Sequence, residues 1–157
     1  GWYAVDKGRL VLPGISLAAG ADVAASWGEA IGDAEIDLVN SARFEFGSIA
    51  TAGLLVGKLL ASDRSDVPAL PTGGMCIGVW DFSFTGGFDV VDVQLRYDAV
   101  AAAGKIVALK RWNGSAGHWE SVPTTELSGA RIEAAGLAEL GLFAAFAAER
   151  PTLVVVK

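Results

Sequence analysis

The 157-residue chain holds one cysteine and one histidine, and each shortage removes a class of chemistry. With Cys76 alone there is no partner for an intrachain disulfide and no set of thiolates for a metal cluster. The thiol lies in the apolar run GGMCIGVW with no basic neighbour in sequence, the setting of a buried small hydrophobe. His118 is the one imidazole available as a triad base, and it sits between Gly117 and Trp119 in a turn. Nearby Ser115 lacks the G-x-S-x-G elbow that would make it a nucleophile, so catalysis is not expected and His118 reads as a solvent-exposed turn residue. One His and one Cys cannot supply the soft ligands of a zinc site.

Charge is also scarce. Eighteen acidic against twelve basic residues give a net charge of −6, which opposes a phosphate backbone and leaves no Lys/Arg stripe for nucleic acid or anionic lipid. No apolar run reaches the ~18 residues that span a bilayer, because the alanine-rich end is broken by Glu139, Gly141, Glu149 and Arg150, and no membrane insertion is expected. The chain begins at Gly1 without a charged and apolar leader, and reads as a piece of something longer.

What is present suits one folded unit. Apolar residues make up 52%, and 20 glycines are spread along the chain in a way that suits many turns. A globule of this size buries roughly 68–70% of its unfolded surface, enough for a core without staples. Residues 1–157 are therefore read as a single domain, with 1–34 a looser N-terminal strand and loop segment.

The clearest local signal is at 105–122, KIVALKRWNGSAGHWESV, where two strand-like runs flank a turn built from Asn113, Gly114 and Gly117. It predicts a β-hairpin, with Trp112 and Trp119 where the arms meet the loop. Val91, Val93, Leu95 and Tyr97 alternate with Asp92, Gln94, Arg96 and Asp98, the pattern of a strand with one wet face. Phe44 and Phe46 share one face by the same two-residue period. Strands are also predicted at 9–13 (RLVLP, stopped by its proline), 15–17, 35–39, 53–62 and 75–84, and over PTLVVVK at the end. The segment 18–33 is alanine-rich but interrupted by Gly20, Gly28 and Gly32, and predicts a loop with at most one turn. Two prolines and a glycine pair make 62–74 a long surface connection. The run ELGLFAAFAAER fits helix and strand alike, and is assigned as strand because the rest of the chain is β. The expected fold is an all-β antiparallel β-sandwich of about ten strands, jelly-roll or immunoglobulin-like.

Five motifs along 35–148 add a resemblance: VPALP at 67–71, VWDFSF at 79–84, LRYD at 95–98, the hairpin LKRWNGSAGHWESV at 109–122 and GLAELGLFAAFA at 136–147. Together they resemble C-terminal β-sandwich modules of large bacterial secreted or cell-surface proteins, of the autotransporter-repeat- or dockerin-associated type. The resemblance implies a non-catalytic structural or interaction role, an extracellular or cell-surface location, and neighbouring domains of the same polypeptide or surface proteins as partners. Where such modules often carry acids after the Tyr-Asp pair, this chain has AVAAAG, which argues against calcium there.

Two further candidates come from residue types. Trp80, Tyr97, Trp112 and Trp119 are the rings able to stack on sugar faces, so a carbohydrate-binding module is the alternative function and polysaccharide the alternative partner; cross-strand and core packing is the competing role of the same tryptophans. No cofactor is expected, but Asp63 and Asp66, in a turn-rich loop with Ser62 and Ser65, are the residues that could converge on Ca²⁺, although Arg64 stands between them and solvated loop acids are the plainer reading. The acids Asp81, Asp89, Asp92 and Asp98 are weighed as a glycosidase pair and set aside, because alternation leaves Asp92 and Asp98 on a wet face. Asn113 to Ser115 also matches a glycosylation acceptor made of ordinary turn formers.

Overall fold

The computed structural model describes residues 4–6, 8–28 and 41–150, and the strands expected at 35–39 and in PTLVVVK lie outside them. Fourteen strands are present among the described residues: β1 (Ala4–Asp6), β2 (Arg9–Val11), β3 (Ile15–Leu17), β4 (Gly20–Trp27), β5 (Ala42–Thr51), β6 (Gly53–Leu60) and β7 (Met75–Phe84). The second half supplies β8 (Gly87–Phe88), β9 (Val91–Arg96), β10 (Lys105–Asn113), β11 (His118–Val122), β12 (Thr125–Leu127), β13 (Arg131–Leu137) and β14 (Leu142–Glu149). They form two antiparallel sheets, an eight-stranded one in the order β1-β2-β6-β7-β14-β10-β11 with β3 also on β6, and a six-stranded one in the order β12-β13-β9-β5-β4 with β8 also on β5. The fold is an all-β sandwich. Among the described residues no helix is long and apolar enough to cross a membrane.

The count exceeds ten because β1, β4, β8 and β12 are not expected from the sequence as separate strands. Pro13 has no amide hydrogen for the ladder, and it divides the strand along β6 into β2 and β3. Asp89 divides β8 from β9 by accepting hydrogen bonds from the Ser48 and Val90 amides, at 2.7 and 2.6 Å.

One expectation is overturned. Residues 20–27 are not a loop but the edge strand β4, in one register with β5 from Gly20 opposite Ile49 to Trp27 opposite Ala42, with Asp22 at a φ of 53° within it. The ladder and the burial of Trp27 outweigh the weak local preferences of alanine and glycine. Trp27 packs on Phe44 and Phe82, and its Nε1 donates to the Pro13 carbonyl at 2.7 Å, which ties the two sheets together.

Between the sheets lies one large core, with Phe44, Phe46, Val91, Val93 and Leu95 from one side and Leu55, Trp80, Phe82, Leu109 and Phe143 from the other. At one end the β5–β6 and β7–β8 crossovers run side by side. Leu54 N donates to Thr85 Oγ1 at 2.8 Å, and a Cβ on Gly86 would fall inside the Thr51 carbonyl, so only glycine permits that approach.

A second, smaller cluster lies on the outer face of the eight-stranded sheet. The connection 62–74 is on the surface as expected, yet it is also a strap: Val67 and Leu70 press on Val79, Ala144, Phe146 and Trp119. This explains the ambiguity of β14. Five consecutive residues, Phe143 to Ala147, are buried because one set of side chains meets the main core and the other lies under the strap, which erases the alternation of a one-sided strand.

Candidate functional site at the tryptophan hairpin

The hairpin forms as its sequence predicts. β10 and β11 pair from Leu109 opposite Val122 to Asn113 opposite His118, which puts Trp112 directly across from Trp119. Their rings sit 5.5 Å apart, edge to face, an arrangement that adds to simple burial. The four-residue turn closes through Gly117 N donating to the Asn113 carbonyl at 2.8 Å. Asn113 Oδ1 accepts from Ala116 N at 3.0 Å while Nδ2 donates to Glu120 at 2.7 Å, so both ends of the amide are engaged.

The two indoles have different duties. Trp119 packs on the small outer cluster and its Nε1 donates to the Ala69 carbonyl at 3.0 Å, pinning the strap. Trp112 belongs to neither cluster, is half-buried, and makes no hydrogen bond through Nε1 among the described residues. Arg111 reaches toward the β13–β14 turn, where Nη1 meets Glu139 Oε2 at 3.5 Å. A cleft of about 360 Å³ opens there, lined by Arg111, Trp112, Asn113, Ser115, Glu139 and Leu140.

Of the four rings named from sequence, the structure brings together Trp112 and Trp119 only. Trp80 is corrected: it is 0% exposed, its ring lies over Gly78 in the main core, and no surface ligand can reach it. Alternation in VWDFSF puts Trp80, Phe82 and Phe84 on one face opposite Asp81 and Ser83, and that face is the inner one. Tyr97 follows β9, donates its amide to the Ala130 carbonyl at 2.9 Å and packs against the main core. Burial, and then the Glu126 carboxylate, push its phenol up. Ala130 precedes β13 and Glu139 follows it, so Tyr97 is roughly 20 Å from the hairpin end at the rise of a strand.

The remaining candidates occupy quieter positions. Asp66 receives a fork from Arg64, with Nε at 2.7 and Nη2 at 2.8 Å, and that guanidinium holds its carboxyl below the usual range. Asp63 is exposed, and among the described residues no group of three His, Cys, Asp or Glu side chains is placed to hold a metal. His118 is 60% exposed with Nε2 3.6 Å from Glu120. Cys76 is half-buried, which pushes its thiol up and away from thiolate chemistry. Three of the four weighed acids serve the backbone: Asp89 as above, Asp92 accepting from Gly136 N at 2.7 Å, and Asp98 accepting from Val100 N at 2.9 Å.

Sequence reasoning missed Arg111 and Glu139 as a pair. They stand 28 positions apart and meet because β10 and β14 are paired with Arg111 opposite Phe143, a register no spacing announces. The chain matches no protein-family model and no curated protein.

Proposed function

We propose that this chain is a non-catalytic interaction module of a bacterial extracellular or cell-surface protein, and that the hairpin end is its working surface. The observation that carries this reading is Trp112, a large half-buried ring that belongs to neither cluster and pairs with Trp119 across the ladder. A half-buried ring held in place loses little conformational freedom on contact, which suits recognition. The chemistry of the nucleophile and base candidates supports the same view, since the thiol is raised by burial and the imidazole faces solvent. Partners of the module are neighbouring domains of the same polypeptide or other components of the cell surface.

The reading is tested by retention of the purified protein on bacterial cell envelopes. Trp112→Ala is expected to lower retention while the far-ultraviolet spectrum stays that of a β protein. Equal retention of the variant and the wild type contradicts the assignment of this surface.

A further inference from the structure

We propose that the cleft beside Trp112 binds a neutral oligosaccharide, with the Arg111–Glu139 pair hydrogen-bonding its hydroxyls and Trp112 flanking a sugar ring. The inference rests on the reading of the hairpin end as the working surface and names the class of ligand it takes.

The lining selects by charge. Arg111 and Glu139 lie side by side in the lining of the cleft, 3.5 Å apart, so an anion meets a carboxylate and a cation meets a guanidinium. A neutral ligand with both donors and acceptors fits both groups. Neither group is saturated by the other. Their contact is a single long one, not a bidentate fork, and the Glu139 side chain is 76% exposed, which leaves guanidinium donors and carboxylate lone pairs for a hydroxyl-rich molecule.

Trp112 adds the third element. Its Nε1 would lie 3.7 Å from a Cβ on Gly114, so the indole N–H edge is turned toward the turn that borders the cleft. That N–H is unused among the described residues, whereas the equivalent group of Trp119 is spent on Ala69. One tryptophan of the pair is structural and the other is available.

Shape favours a chain of sugars over a single one. A second depression of about 270 Å³ runs between Glu120, Ser121, Pro123, Gly136 and Ala138, and it shares Arg111 and Glu139 with the first. The pair therefore stands where two adjoining depressions meet, and an extended ligand lying across it is contacted on both sides. The first depression is near the lower end of the size range of small-ligand sites, which starts at about 300 Å³, and the second falls just below it.

The test titrates the protein with neutral hexasaccharides of β-1,4-glucose, β-1,4-xylose, β-1,4-mannose and β-1,3-glucose, and with oligogalacturonate as the anionic comparison. Calorimetry and tryptophan fluorescence give the readout. At least one neutral hexasaccharide is expected to bind and to perturb the fluorescence. Glu139→Ala, an exposed change that leaves the fold alone, is expected to weaken that binding about tenfold at an unchanged melting temperature. Arg111→Met provides a second variant of the pair. Binding of no neutral hexasaccharide, preference for oligogalacturonate, or neutral binding indifferent to both variants overturns the proposal. If envelope retention still depends on Trp112 in that case, the interaction reading stands and only the ligand class falls; if retention fails too, both fall.

Discussion

The two outer faces of the sandwich are built on opposite plans. On the eight-stranded sheet Val79 of β7 and Leu142, Ala144 and Phe146 of β14 form an apolar outward patch, and the strap 62–74 covers it. On the six-stranded sheet the outward side chains are polar and paired with one another, Arg43 with Glu45 at 3.1 Å and Gln94 with Glu133 at 2.9 Å. The first face is a satellite core that needs a cover, and the second is a solvated ladder that needs none. The contrast places the working surface. Trp112 stands on the apolar side but outside the strap's reach, at the one hairpin whose tip also borders the charged pair Arg111 and Glu139.

The contrast breaks first at the strap. Val67 is 7% exposed, and Val67→Asp would place a carboxylate against Val79 and Phe146 with no partner. A loss of about 2–3 kcal/mol in urea unfolding is expected, and an unchanged midpoint would mean the strap contributes nothing to the fold. Trp119→Phe keeps the ring packing and removes the donor to Ala69. Its expected cost is about 1 kcal/mol, with faster proteolysis inside 62–74, and cleavage at the wild-type rate would count against the pin.

On the polar sheet the effects are smaller and follow pH and salt. The Val90 and Ser48 amides that donate to Asp89 hold its carboxyl below the usual range. A carboxyl lowered by folding stabilises the native state fully above its unfolded value of about 3.9, and that stabilisation is lost as pH falls through the folded value. Asp89→Asn should therefore flatten the acid limb of stability below about pH 4, and parallel acid curves for the two proteins would refute this. Smallest of all, Arg43→Gln removes an exposed ion pair and should change stability by no more than about 0.5 kcal/mol, as read by the denaturation midpoint.

The wet face was legible in the sequence and the covered one was not. Alternation in Val91 to Arg96 gave strand, inward set and outward set together, because one side of β9 meets water. The same holds for the hairpin, where Asn113, Gly114 and Gly117 mark the turn and the tryptophans fall opposite each other. β14 carried no such period, since both of its faces are buried, and β4 was hidden because alanine and glycine say little until a partner strand supplies the ladder. The role of each tryptophan was equally hidden. Trp80 faces the main core between the sheets whereas Trp112 lies outside both clusters, a difference set by how the sheets pack.

The most direct measurement is the full nitrogen-15 correlation spectrum of labelled protein, backbone and side chain, in which five tryptophan indoles give five signals, recorded with and without soluble fragments of bacterial cell envelope. The Trp112 signal is expected to shift or broaden, while those of Trp27 and Trp80 and the Arg43 side chain hold their positions. Changes confined to Arg43 and its neighbours on the six-stranded sheet, with Trp112 unmoved, would contradict the account.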